Sequence, residues 1–424
     1  MRKFFYIFIF ATALFAMALI GTQPLHADVL IPMDLEQGDH LRAYGITYYA
    51  LDQGISVEWL LNYRGGSFLM GEYDEIVREM TLKGVSYEHI SGSGIARIKK
   101  EIEEENMETV LLEKVPKIAV YTPPNSLPWD DAVTLALDYS EVPYEKIWNK
   151  DVLNGALDEY DWLHLHHEDF TGQYGKFYAH YRNQKWYQED VKMREEEAAS
   201  LGYRKPSQML LDVALRIRDY MSQGGFLFSM CSGTDSFDIA LAAEGVDICE
   251  SMFDGDPADP HAQSKLNFDK TLAFENFKLE RDPLVYEFSN IDTTPLSSMR
   301  GPEADYFTLF EFSAKYDPVP TMLTQCHVPV INGFLGQTTG FHTNCIKKSV
   351  VILGEVEGAS EAKYIHGNFG KGTFTFYGGH DPEDYTHRIN DPPTRLSLHP
   401  NSPGYRLILN NILFPAAKKK NLKT

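Results

Sequence analysis

The sequence predicts an α/β protein built on a parallel sheet with helices on both faces. Two observations carry this. From residue 116 onward, short apolar runs alternate with amphipathic stretches of helical length, the pattern of strand–helix–strand units. The chain is also long enough, at 424 residues and 43% hydrophobic, to bury at least one large core.

The elements follow in order. DVLIPMD from residue 28 is a short strand, and HLRAYGITYYALDQG is a helix ending at Gly54. ISVEWLLN is a second strand, with RGGSF as a turn after it. Residues 73–112 are expected to be mostly helical, ending in the charged stretch KKEIEEENME. This smaller N-terminal α/β unit is assigned residues 28–114.

The main core is assigned residues 115–249 and 321–418. PKIAVYTPP is its first strand, and PWDDAVTLALDYSEV is a helix with acidic residues near its positive end. YDWLHLHH is the next strand, and KPSQMLLDVALRIRDYMSQGG is an amphipathic helix stopped by Gly224 and Gly225. FLFSMC is a strand and TDSFDIALAAEG a helix. The aromatic-rich stretch 169–187 is expected to be a helix over the sheet. Residues 250–320, rich in Pro and Asp, are expected to form an irregular insertion. KKSVVILGEVE and AKYIHGNFGKGTFTFYGG are strands, the latter with a hairpin turn at NFGKG, and PGYRLILNNILF is a closing helix.

MRK, then the apolar run 4–21, then TQPLHA has the build of a secretory signal peptide over residues 1–27, with cleavage after Ala27. An uncleaved anchor is the alternative. The expected location is therefore outside the cytoplasm, periplasmic or secreted, with no stable membrane span after cleavage. A net charge of −21 repels phosphate backbones and excludes nucleic acid as a partner. The basic tail, 419–424, is a solvated end. The four cysteines form no CxxC pair; one or two disulfides are open.

Candidate chemistry gathers at the carboxyl ends of the parallel strands, where ligands bind in such sheets. Cys231 ends a strand and faces a helix start, a position that favours a thiolate. His380, after a later strand, is the candidate base, with Glu383 or Asp384 to orient its ring. In HLHHED, His164 and His166 share a strand face and His167 and Glu168 follow. This run is expected to line a substrate cleft, with no metal and no cofactor assigned. Arg64, in NYRGGSF, could hold a carboxylate or phosphate bidentately or serve as a turn arginine. The acidic turn FDGDPADPH lacks the spacing of a calcium loop.

MCSGTDSF resembles the nucleophile corner of class I glutamine amidotransferase-like proteins, Gly-x-Cys-x-Gly followed by a helix. Cys231 matches the nucleophile and Gly233 the second glycine, with Ser229 at the first. HDPE resembles their His-Pro-Glu motif, with Asp381 as an added residue. The ending FGKGTFTFYGGHDPED is similar to the trehalose-utilisation-like branch. This resemblance implies a flavodoxin-like core. SGTDS also resembles the pyrophosphate loop of asparagine synthetase and its relatives, with Ser232, Gly233, Asp235 and Ser236 as the matching positions. The whole chain is similar to exported bacterial proteins grouped as asparagine synthetase B-like. Three functions are thus open. One is a Cys-dependent hydrolase or acyl-transfer enzyme acting on an amide or ester of a small or envelope-derived molecule. The others are a non-catalytic carbohydrate- or peptide-binding module and an ATP-dependent amide-forming enzyme.

Overall fold

A computed structural model of the chain describes residues 28–124, 131–388 and 391–418. The expected signal peptide and the basic tail lie outside the described residues.

Strands β1 (Asp28–Ile31), β2 (Val57–Leu61), β3 (Ser67–Gly71), β4 (Glu88–Ile90) and β5 (Glu108–Leu112) form one sheet in the order β4-β1-β3-β2-β5. Its pairings are antiparallel. Side chains alternate across it as strand geometry requires. Val29 and Ile31 face helix α1 (His40–Asp52) and helix α2 (Asp74–Lys83), whereas Leu30 meets Ile98 and Ile102 of helix α3 (Gly92–Glu104). One expectation is corrected here. RGGSF is not only a turn, because β3 begins at Ser67 and takes the middle of the sheet. Residues 73–112 are mostly helical, in α2 and α3, but they also hold β4 and β5, which flank α3 and were not expected. Strand ends of three to five residues carry too little periodicity to stand out beside a charged helix.

The second sheet contains β6 (Ile118–Tyr121), β7 (Glu145–Ile147), β8 (Trp162–Leu165), β9 (Phe226–Met230), β10 (Tyr306–Leu309), β11 (Val330–Asn332), β12 (Phe341–His342), β13 (Val351–Glu355), β14 (Glu361–Phe369) and β15 (Gly372–Tyr377). The order is β11-β10-β13-β14-β15-β9-β8-β6-β7, with β12 on β14. The run β15-β9-β8-β6-β7 is parallel, and the strands from β14 outward are antiparallel. The molecule is thus an α/β protein with mixed sheets. The hairpin at NFGKG joins β14 to β15, with Gly370 at a φ of +59°.

Helices cover both faces of the parallel run. Helices α4 (Ala132–Ser140) and α8 (Pro403–Leu413) pack with α1 against Val120, Trp162, Phe228 and Tyr377. Helix α5 (Lys185–Ser200) precedes α6 (Pro206–Gln223). Helices α6 and α7 (Ser232–Ala242) pack on the opposite face against Ala119, Leu163, Leu227 and Phe376. Chain therefore leaves β6 toward one face and β8 toward the other. The two sheets share one core through α1 and α8. Arg406, fully buried on α8, ties them together by donating to the carbonyls of Met33 and Gly65 and to the Tyr44 hydroxyl.

The aromatic stretch 169–187 is also corrected. Residues 169–177 form no α-helix, only a distorted 3-10 turn at Tyr174–Lys176 in which all three residues have positive φ; helix follows at Tyr178–Tyr181 and from Lys185. Asp169 organises residues 169–177 by accepting from the amides of Thr171 and Gly175. The stretch 250–320 is irregular up to Thr293 apart from single helical turns, a short helix follows at Thr294–Arg300, and β10 then joins the main sheet. Asp238 of α7 pins that irregular segment by accepting from the amides of Leu272, Ala273 and Phe274.

Candidate functional site

The carboxyl ends of β6, β8, β9 and β15 come together above the sheet, and histidines dominate there. His164 is the third residue of β8, with Nδ1 3.2 Å from the Phe228 carbonyl oxygen and Nε2 3.2 Å from Asp131 Oδ1. His166, two residues on and on the same side, places Nδ1 3.4 Å from the same Asp131 oxygen. Asp131 is the N-cap of α4 and also accepts from the amides of Val133 and Thr134. Burial opposes its ionisation, but His164 and His166 outweigh that and hold its carboxyl well below the usual range. Asp131 was not singled out as a site residue; its only sequence signal is the acidic start of a helix.

His380 arrives from β15. The chain turns there through Gly379, at a φ of +93°, where a Cβ would meet the Phe334 ring and the Lys363 amine. The His380 ring lies 4.4 Å from that of His166 and 5.9 Å from that of His167, and stacks on His387 at 4.3 Å and 3°. Burial and neighbouring histidines hold His380 well below the ordinary imidazole range; burial holds His166 and His167 below it as well. These rings are therefore neutral at neutral pH. Among the described residues, Nδ1 of His167, Nδ1 of His380 and both ring nitrogens of His166 make no hydrogen bond. His166 is fully buried, whereas His167 and His380 are partly open.

The expected orienters turn elsewhere. Glu383 pairs with His399 at 2.8 Å, and Asp384 with His387 Nδ1 at 3.1 Å. His387, seven residues beyond His380, is a member of the cluster that sequence reasoning missed. Glu168 folds back to accept from the His166 amide, and its burial raises its pKa.

Cys231 occupies the corner between β9 and α7 at φ 48° and ψ −139°, a conformation that costs a non-glycine residue roughly 1–3 kcal/mol. Hydrogen bonds hold it there: its amide donates to the Gly379 carbonyl, and its carbonyl accepts from Thr234. The sulfur accepts from the Gln337 amide at 3.2 Å, and the amides of Thr338 and Ser232 also favour its anion. Burial nevertheless pushes the thiol up to about 11, with Asp235 adding to that. Among the described residues, no hydrogen bond joins Cys231 to His380. The sulfur meets the 337–338 amides, while the His380 ring stands among the other histidines. All four cysteines are free.

Ser232, Gly233, Asp235 and Ser236 are fully buried in the start of α7. The Gly233 amide is engaged with the His166 carbonyl at 2.7 Å, and Asp235 accepts from the Thr338 hydroxyl at 2.8 Å. Arg64 sits at the first sheet instead, bonded to Asp34, Glu36 and Glu88. The carboxylates it binds are thus the protein's own. A pocket of about 320 Å³ opens between α6 and α7, and its lining includes none of the clustered histidines. Among the described residues, no helix is long and apolar enough to cross a membrane.

No protein-family model matches the chain. No curated protein matches it either. Among solved structures, it is similar to cytoplasmic protein STM3548 from Salmonella typhimurium at 10% identity and a TM-score of 0.34, covering 72% of this chain and all of that one. Cytoplasmic protein STM1381 from Salmonella typhimurium LT2 matches at 14% identity and 0.32, covering 71% and all of that chain. A β-galactosidase from Bacillus circulans sp. alkalophilus matches at 10% identity and 0.24, covering 63% of this chain and 29% of its own.

Proposed function

We propose that the chain is an exported hydrolase acting on an amide or ester of a small or envelope-derived molecule, with His166, His167 and His380 as its reaction centre. One observation carries this. Three neutral imidazoles with unpartnered nitrogens converge beside β8, where chain leaves β6 and β8 toward opposite faces of the sheet. By rank in the chain, the parallel strands run 2-1-3-4-5, the order of flavodoxin-like sheets, whose ligands sit between the first and third strands. That order, with the Cys231 corner, supports the amidotransferase-like assignment of the core. Export rests on the character of residues 1–27.

In the proposed reaction, a neutral imidazole takes a proton from water as the oxygen attacks the substrate carbonyl. Asp131 stabilises the positive charge that develops at His166. The proton then passes to the departing nitrogen or oxygen as its bond to the carbonyl carbon breaks.

A second reading makes Cys231 the nucleophile, and its strained corner and converging amides favour it. The ATP-dependent reading has less support, because the amide of Gly233 is already engaged and Ser232, Asp235 and Ser236 are fully buried.

Turnover of a panel of chromogenic esters and anilides by purified protein tests these. Loss of about 10²–10⁴-fold in His166→Gln and His380→Gln, with activity kept in Cys231→Ser, is the expected result. Loss confined to Cys231→Ser selects the second reading. Thermal stabilisation by a sugar or peptide without any turnover overturns both in favour of a binding protein.

A further inference from the structure

We infer that His166, His167 and His380 together hold a divalent transition-metal ion, with zinc the ion their donor set suits. The inference rests on the reading of this cluster as the functional centre and changes how it acts: a ring whose lone pair binds the ion cannot also take water's proton, so the bound ion takes over the activation of water. One ligand atom from each residue lies within 4.8 Å of the others. Nitrogens around a tetrahedral ion at about 2.1 Å stand roughly 3.4 Å apart, so small ring rotations close the site.

Both ring nitrogens of His166, and Nδ1 of His167 and of His380, are buried and make no hydrogen bond among the described residues. Buried imidazoles normally satisfy their nitrogens, and here three leave theirs open toward a common point. Asp131 Oδ1 stands 3.4 Å from His166 Nδ1, close enough for a small ring rotation to complete a carboxylate–histidine–metal arrangement through Nε2. Imidazole nitrogen selects zinc and its late first-row neighbours over calcium and magnesium, which take oxygen.

Three other groups of ligand-type residues differ in kind. In the group Asp131, His164 and His166, both nitrogens of His164 are engaged, by the Phe228 carbonyl and by Asp131, and Asp131 also accepts from the amides of Val133 and Thr134. Asp247 and Asp254, beside Cys249, are paired with Lys205, whose amine lies 2.8 and 2.9 Å from their carboxylates. In the group Asp384, His387 and Asp391, Asp384 binds His387 and Asp391 accepts from the Arg388 amide.

The sequence reading gave the HLHHED run no metal because two histidines and an acid on one segment are a weak signal. The third ligand comes from a strand more than two hundred residues later.

The test uses chelator-treated full chain titrated with Zn²⁺ alone and, separately, with Co²⁺. One ion per chain and the visible absorption of low-coordinate Co²⁺ are expected. His167→Gln and His380→Gln should each weaken Zn²⁺ binding at least about 100-fold, and Asp131→Asn about 10-fold or more. Asp254→Asn should leave it unchanged. If a histidine variant does not fold, paramagnetically shifted imidazole resonances of the Co²⁺-loaded parent count the ligands directly, with three expected. Absence of stoichiometric binding, or binding that survives in both His167→Gln and His380→Gln, overturns the inference. Ester or amide turnover that depends on His380 but is indifferent to chelation overturns the metal alone. Metal binding without any turnover sustains the site and overturns the hydrolase.

Discussion

The amide of Gly233 donates to the carbonyl of His166 across 2.7 Å, tying the first turn of α7 to the segment that carries the histidine cluster. A Cβ at Gly233 would sit 2.6 Å from that carbonyl oxygen and 2.9 Å from the Ser229 hydroxyl. Both neighbours are buried and held by the sheet, so neither can yield cheaply. Gly233→Ala is expected to cost about 1–3 kcal/mol. It should also move His166, visible as a change in imidazole resonances. A variant with unchanged stability and unchanged histidine spectra would show that the contact relaxes freely.

Cys231 should be slow to alkylate in the folded protein. With its thiol pushed up to about 11 by burial, roughly one part in a thousand is thiolate at pH 8. Labelling should accelerate about tenfold per pH unit through the alkaline range, as read by mass spectrometry of the Cys231 peptide. Rapid modification at neutral pH would instead favour Cys231 as a nucleophile.

Asp238 holds the irregular segment to α7 through three amides at 2.7, 2.7 and 2.9 Å. Asp238→Ala leaves three buried donors without an acceptor, and a loss of about 3 kcal/mol or more is expected in urea unfolding. Hydrogen exchange at residues 272–274 should rise first. Wild-type protection there in the variant would mean that the segment is held by its apolar contacts alone.

Acid should destabilise the fold below neutral pH. Burial holds His40 and His366 down to about 4. Their folded pKa values thus lie below the unfolded value of about 6.5, so the unfolded chain binds protons first. The stability from these neutral rings is full above pH 6.5 and is lost as pH falls from there toward 4. His366→Phe, which removes one titrating ring, should flatten the pH dependence of the urea midpoint in that window. An identical slope in wild type and variant would assign the acid sensitivity to other groups.

Strand–helix alternation from residue 116, the helix stop at Gly224 and Gly225, the hairpin at NFGKG and the placement of HLHHED beside a strand end were all legible in the sequence. Each depends on periodicity or turn chemistry within about twenty residues, and the buried faces of β6, β8 and β9 repeat that periodicity. Strands β3, β4 and β5 were not legible. They are short, and their partners lie across the sheet, so pairing rather than local pattern makes them strands.

The site divides the same way. Residue types alone pointed to Cys231, His166, His167 and His380, because thiols and imidazoles at strand ends are chemically conspicuous. Which of these groups meet was a matter of tertiary structure. The turn at Gly379 carries His380 to the histidines after β8, while the 337–338 segment brings its amides to the sulfur of Cys231. Local sequence sets which side of a strand a residue faces. Only the packing of segments hundreds of residues apart determines what stands opposite it, how deeply it is buried, and hence whether its proton stays on.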